Sequence, residues 1–353
     1  MLMTPGPTEI PKKVRKAMAR PIQNPDIEEE FRKLYREIEE KVKKVYQTDK
    51  DVLIPGGEGI LGLEASIAST LEPGDKVLCI SNGIYGDEFG KFVEMFGGEP
   101  IFCKSPYGER LDVEKVKSLI EKHDFRASTM VHCETPTGTL NHINKILPIL
   151  KENQIITIVD AVSSLAGTPV PVENIDLCIG GSQKCLSAQP GLTTVSVSDK
   201  AWETIMEKEQ NTFYTNLAIW KETWFEKNYF PYTPLVSNIY GLEEALNLIL
   251  KEGLENVFGR HQKSAQVCRD LGKEMGLELY PENDELCSPT VTAFLIEGKA
   301  KRLQDKVYKD SGILLATGLR EFEEDILRIG HMGYNADVEK VEKVMKALES
   351  STN

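Results

Sequence analysis

Apolar and polar positions divide the chain into short apolar runs separated by stretches of helical periodicity. The runs at 52–54, 76–80, 100–103, 129–132 and 155–159 read as strands covered on both faces. Between them, apolar residues recur at three- and four-residue spacing, which predicts helices over about 60–70, 86–96, 113–122 and 143–152. Such alternation predicts an α/β fold: a mostly parallel sheet with helices on both faces, and ligands at the carboxyl ends of its strands. A charged helix is expected from Pro25 to about Tyr46, with Ile38, Val42 and Val45 on its buried side. Residues 1–15, interrupted by Pro5, Pro7 and Pro11, read as an extended arm. The pattern changes near Gly241, where long helical runs (241–253 and 254–275) precede short strands at 290–296 and 326–330 and an amphipathic helix at 336–348. The expected organisation is an arm (1–15), a large domain (16–244) and a smaller α+β C-terminal domain (245–353).

At 353 residues the chain exceeds one typical core, in agreement with that division. No apolar run approaches the roughly 18–20 residues that span a bilayer. The opening MLMTPGPTEIPKK lacks the basic-then-apolar order of a signal peptide, so a cytoplasmic protein is expected. The net charge of −13 leaves no basic face for nucleic acid or an anionic membrane, although a small anionic substrate needs only one local cation. Seven scattered cysteines without a CxxC pair fit a reducing compartment and supply no metal-ligand set.

Chemistry concentrates around Gly180-Gly181-Ser182-Gln183-Lys184-Cys185-Leu186, closed by Gln189-Pro190-Gly191. The runs at 175–179 and 192–198 on either side read as buried strands. A lysine in a tight loop between such strands is partly desolvated, which favours the neutral amine suited to Schiff-base chemistry. An ordinary surface lysine fits the loop equally well when the loop is taken alone. Gly57-Glu58-Gly59-Ile60-Leu61-Gly62 matches GxGxxG after a strand, but the acid that dinucleotide sites carry after the next strand is missing. What remains is a helix N-terminus able to face an anion, against the plainer reading of a packing turn. His132-Cys133-Glu134 resembles half of a zinc deaminase signature whose PCxxC half is absent, so no metal is expected. Thr135-Pro136-Thr137-Gly138 places hydroxyls at a strand end. Asp160 ends a buried strand, where a carboxylate calls for a cationic partner or a capping role. An amine, an anion cradle, a buried acid and hydroxyls at strand ends are together what pyridoxal phosphate requires.

Those motifs, from TPGPTEIP to LRIGHMG, resemble the class V aminotransferase family of fold-type I pyridoxal-phosphate enzymes. Within it, they are most similar to the alanine–glyoxylate and serine–pyruvate aminotransferases. The resemblance implies that Lys184 in GSQK bonds the cofactor aldehyde and that Asp160 in VDAVSS pairs with its ring nitrogen. It further implies that Val162 and Tyr85 sandwich the ring and that Thr135 reaches the ring hydroxyl. The loop Gly57, Glu58, Gly59 and Ile60, with Gln183 and a neighbouring subunit's Thr233, would meet the phosphate, and Arg328 would grip the substrate carboxylate. Glu58 stands where relatives carry Ser or Thr and is expected to point away from the phosphate. Phe230 stands where they carry tyrosine, with Tyr229 or Tyr232 as substitutes. The implied protein is a homodimer that moves an amino group from alanine or serine to glyoxylate or pyruvate in a ping-pong cycle. A 2-aminoethylphosphonate–pyruvate transaminase and a cysteine desulfurase-type lyase are the alternatives. Residues 311–325 lack the mobile-loop cysteine that the second of these requires.

Overall fold

In the computed structural model, which describes residues 1–352, the apolar runs pair into one seven-stranded sheet. Its strands are β1 (Asp51–Leu53), β2 (Lys76–Ser81), β3 (Glu99–Lys104), β4 (Ala127–Val131), β7 (Ile156–Asp160), β8 (Leu177–Gly181) and β9 (Thr193–Val197). A small separate hairpin joins β5 (Cys133–Glu134) to β6 (Thr139–Leu140). The spatial order is β1-β9-β8-β7-β4-β2-β3, and only β9 runs against the rest. Every residue of β4, β7, β8 and β9 is buried, as expected of strands covered by helices on both faces. The carboxyl ends of β2, β4, β7 and β8 consequently open on one side of the sheet.

Helices α1 (Lys12–Ala17), α2 (Glu29–Tyr46), α3 (Gly59–Thr70) and α4 (Ile84–Met95) lead into or cover this sheet. The arm expected over 1–15 thus already turns helical at Lys12. Helix α2 buries Phe31, Tyr35, Ile38, Val42 and Val45 along one stripe. It starts later than the sequence predicts because Asn24 Oδ1 accepts from the amides of Asp26 (3.0 Å) and Ile27 (3.3 Å), holding those residues in a turn. Strand β8 also starts two residues late: the Ile175 carbonyl is taken by Lys50 Nζ at 2.8 Å instead of a ladder partner.

A second, antiparallel sheet has the order β10 (Glu278–Leu279), β11 (Val291–Leu295), β13 (Ile326–Gly330), β12 (Ala316–Thr317). Phe294, Leu327 and Ile329 pack there against Val341, Val344 and Leu348 of the last helix. The earlier helix Val236–Glu252 instead buries Ala245, Leu246 and Ile249 in the core of the large sheet. The N-terminal residues join the second core. Met3 is fully buried among its side chains, its amide donates to Leu314 O (2.9 Å), and its carbonyl accepts from Gly330 N (2.7 Å). Gly330 makes this approach feasible, since a Cβ there would lie 2.3 Å from the Thr4 carbonyl oxygen.

Met3→Ala should therefore cost about 2–4 kcal/mol of stability, the usual penalty for truncating a buried methionine. Denaturant unfolding measures it, and a loss below about 1 kcal/mol would show that the arm is not part of that core.

Candidate active site

Chain entry from β8 into the lysine loop is tied at both ends. Ser182 N donates to Leu192 O (3.0 Å), Ser182 Oγ donates to Gln189 O (2.6 Å), and Ala188 N returns to Ser182 O (3.0 Å). Lys184 projects from this loop onto the wall of a cavity of about 430 Å³ at the strand ends. Its Nζ donates to Pro5 O at 2.6 Å. The arm passes so close that a Cβ on Gly6 would lie 2.4 Å from Nζ. Lys184 keeps some accessible surface, all of it compatible with a side chain that faces a cavity, while protein surrounds the amine elsewhere. That enclosure, and then the charge of Arg328, lower its pKa, against the opposing pull of Asp160.

Asp160 closes β7 beside the lysine, and its Oδ1 accepts from Val162 N at 2.8 Å. Burial raises its pKa to about 6, more than the Val162 amide and Lys184 bring it down. Val162, Gln183, Glu58, Gly59, Ile60 and Tyr85 line the same cavity. Eight of the residues singled out in the sequence are thus brought together. Thr135 and Arg328 stand behind the wall. The Thr135 hydroxyl pairs with that of Ser163, which does line the cavity. Arg328, on β13 and almost fully buried, donates from Nε to Thr317 O (2.7 Å) and from Nη1 to Thr135 O (3.5 Å). Burial lowers its pKa to about 10, with Tyr85 pulling the other way. Gly57 serves the backbone: its φ is +144° and its amide donates to Gly191 O at 2.8 Å. Thr233 is exposed and does not line the cavity.

One expectation needs correction. Glu58, expected to point away and leave the backbone N–H groups to the phosphate, turns its carboxylate onto one of those amides. Its Oε1 accepts from Ile60 N (3.1 Å) as the N-cap of α3, and its Oε2 accepts from Gln183 Nε2 (3.0 Å). A helix N-terminus attracts negative charge, and Glu58 supplies it from within the chain. Tyr232, one of the two suggested substitutes for a tyrosine at position 230, accepts from Trp220 Nε1 (3.2 Å) and stacks on Tyr214, which leaves its O–H free to donate. Phe230 itself is buried, stacked on Trp224 with centroids 4.4 Å apart.

The sequence reading missed Glu134. Both its carboxylate oxygens cap α4, accepting from Gly86 N (2.6 Å) and Tyr85 N (3.1 Å). It thereby fixes the turn that carries Tyr85, where the helix has no capping side chain of its own. A Cβ on Gly83 would meet this carboxylate at 2.3 Å, so the glycine is the sequence trace of the contact. Burial raises the Glu134 pKa to about 8 against those two amides. Its neighbour His132 is committed elsewhere, with Nδ1 2.8 Å from Ser164 Oγ and a pKa pushed down to about 4 by burial. Larger clefts exist, including one of about 640 Å³ edged by Lys299, Arg302 and Lys306, but those basic groups lie at its open surface.

A phosphorylated pyridine aldehyde fits this donor set. The amine and the carboxylate share one wall, and hydroxyls lie behind it. Gln183 has a buried Oε1 with no partner, an acceptor open to a ligand donor, while its Nε2, the group that could donate to a phosphate, is held by Glu58. At Gly59 a Cβ would lie 2.6 Å from Val162, so only bare backbone fits between helix α3 and that side chain.

Residues 2–344 match the family described as aminotransferase class V. The chain is 37% identical over 338 residues to an uncharacterised aminotransferase of Methanocaldococcus jannaschii, covering 94% of this chain and 88% of the relative. It is 32% identical over 358 residues to pyridoxamine–pyruvate transaminase of Mesorhizobium japonicum, covering 99% of this chain and 91% of that one. Among solved structures, alanine–glyoxylate aminotransferase of Nostoc superposes with a TM-score of 0.96 at 28% identity, over 100% of this chain and 95% of that chain.

Between pH 6.5 and 8 a carboxyl with a raised pKa holds a proton that the unfolded chain has released, so stability falls as pH rises through this window. The buried histidines have lowered pKa values and exert their opposite effect only below about 6.5. Glu134→Gln should therefore flatten the fall of Tm from pH 6.5 to 8.5 by a few degrees, and an unchanged slope would show that Glu134 stays ionised. Glu58→Ser removes a carboxylate from the helix N-terminus. It should tighten binding of pyridoxal phosphate to the apoprotein severalfold in a fluorescence titration, and weaker binding would contradict the competition inferred here.

Proposed function

The chain belongs to the class V aminotransferase family, and on that premise we propose that it moves an amino group from a small neutral α-amino acid to glyoxylate or pyruvate, working as a homodimer. It is a pyridoxal-phosphate-dependent transferase. The donor we favour is alanine or serine. When bound, the cofactor supplies an electron sink for negative charge at the donor's α-carbon. Everything else falls to the chain's own residues.

The observation that carries the proposal is the grouping of Lys184 and Asp160 on one cavity wall with Arg328 behind it, each with a different electrostatic task. Lys184 has an amine whose lowered pKa increases its unprotonated fraction, so Nζ can attack a carbonyl carbon and later carry a proton between neighbouring carbons. Asp160 would hold a ring N–H in its charged form, since a carboxylate beside a cation is the arrangement that burial tolerates. Arg328 presents a fork already oriented by Thr317 O, suited to the planar carboxylate of an α-amino acid. Tyr85 and Val162 would cover the two ring faces, and Thr135, through Ser163, the ring hydroxyl. Gln183 and the Gly57–Ile60 turn would take the phosphate.

Support for the dimer comes from the surface near that turn. Ile60, Phe213, Tyr214, Tyr229 and Leu235 are all exposed. Leu235 and Tyr214 lie within 4 Å of the Cβ position of Gly56, beside the phosphate turn. Apolar side chains exposed together mark an interaction surface, and Thr233 lies between two of them in sequence. In such a dimer Thr233 would complete the partner's site. Among the described residues no helix is long and apolar enough to cross a membrane, which is compatible with the cytoplasmic location we propose.

A phosphonate donor is the second reading, because Arg328 would also attract a tetrahedral anion. The two readings separate in kcat/KM for alanine, serine, aspartate and 2-aminoethylphosphonate, measured for the wild type and Arg328→Lys. Lysine keeps the charge and loses the fork. The expected result is a wild-type preference for alanine or serine and a loss of about tenfold or more for these in Arg328→Lys, with a smaller loss for the phosphonate. A wild-type preference for the phosphonate or for aspartate would overturn the donor class. Lys184→Ala should abolish turnover with every donor.

A further inference from the structure

Helix α4 presents Tyr85 and Glu88 three residues apart on one face, and both line the cavity that Lys184 enters. Glu88 sits at the rim, with 32% of its side chain exposed. Its Oε1 pairs with a guanidinium nitrogen of Arg320 and lies 3.5 Å from Lys91 Nζ. Arg320 comes from the loop between β12 and β13, three residues beyond Thr317, whose carbonyl orients Arg328. Its φ of +55° is a left-handed conformation that a residue with a Cβ adopts at a cost. Phe322, two residues on, packs against Tyr107 (centroids 5.8 Å) and Tyr280 (5.7 Å), which anchors the loop in that conformation. The guanidinium is therefore delivered to the rim by a fixed backbone, on the same loop as the partner of the carboxylate clamp.

We propose that this pair determines side-chain specificity: Glu88 occupies Arg320 and so excludes donors that carry a second carboxylate. The inference rests on the donor class proposed above. Glu58, Asp160 and Glu88 are carboxylates on the cavity wall, and Lys184 is the cation there, with Arg328 behind it. Arg320 and, farther from the same oxygen and more exposed, Lys91 are the next cations at that rim, and both are already paired with Glu88. Such a side chain meets the charge of Glu88 instead, whereas a methyl or hydroxymethyl group meets no like charge. Discrimination by a repulsive group at the rim needs little stabilisation from the pair itself, and exposed ion pairs give little. Removing Glu88 should therefore change selection more than folding.

The test compares holoenzymes of the wild type, Glu88→Ala, Glu88→Gln and the double variant Glu88→Ala/Arg320→Ala. The reading is the ratio of kcat/KM for aspartate to that for alanine. It should rise about tenfold or more in both single variants, because Arg320 is released, and fall back in the double variant. Glu88→Gln guards against a misfolded alanine variant. Calorimetric binding of succinate relative to propionate should follow the same order and requires no turnover. A ratio unmoved in the single variants, or a gain that survives in the double variant, would overturn the gate. A wild type that prefers aspartate while its ratio still shifts in this way would overturn only the donor class.

Discussion

A charged group inside a protein must find partners or lose its charge, and this constraint shapes the whole cavity. Asp160, Glu134 and Arg328 are buried, and Lys184 projects from the cavity wall. Among the described residues, none of the four is held by a salt bridge. Their partners are backbone groups: Val162 N for Asp160, Tyr85 N and Gly86 N for Glu134, Thr317 O for Arg328, and Pro5 O for Lys184. Backbone dipoles orient a side chain without neutralising it. The amine and the guanidinium thus keep a charge or a lone pair that can be spent on a ligand. The parallel sheet makes this possible by bringing the carboxyl ends of β2, β4, β7 and β8 to one side, where the connecting loops converge.

The first eight residues couple that cavity to the second sheet. Met3 is bonded to Leu314 and Gly330, Pro5 accepts from Lys184, and Thr8 gives its amide to Gln183 O and its hydroxyl to Met332 O. One short segment therefore touches the loop that carries Lys184 and the strand that carries Arg328. A shift of β13 relative to the large sheet would be transmitted through this strap to the lysine. Proline and glycine at positions 5–7 suit the task, since these three residues approach Lys184 closely and the two prolines have no backbone N–H to satisfy.

The central sheet and Lys184 were legible in the sequence because their signals are local. Runs such as those at 76–80 and 155–159 have no amphipathic alternative, and a lysine between glycine-rich turns stands out. Strand ends were less legible. Where β8 begins depends on Lys50, distant in the chain, taking the Ile175 carbonyl. The two-residue strands β10 and β12 carry too few positions to show a period. Glu134 was read as a fragment of a metal motif because its real partners, the amides of Tyr85 and Gly86, arrive from a strand neighbour. Glu58 was expected to point away from the phosphate because the helix N-terminus was assigned to that anion and not to the carboxylate. The pair of Glu88 and Arg320 joins two sheets and leaves no trace in either local stretch.

Three carboxylates border the cavity, and their different surroundings decide which of them can serve a bound cation. Glu58 spends one oxygen on Ile60 N and the other on Gln183 Nε2. Glu88 is paired with Arg320 and lies at the solvated rim. Asp160 has one side-chain hydrogen bond, from Val162 N, although an ionised carboxyl offers about four acceptor positions. Its pKa of about 6 measures the remaining deficit: burial disfavours the charge more than its neighbours favour it. A cationic ring N–H placed against Asp160 would reverse that balance, whereas the same group gains less at Glu58 or Glu88, where the charge is already met. The carboxylate with the fewest partners is thus the one that would gain most from a positively charged ring, in keeping with the role proposed for Asp160.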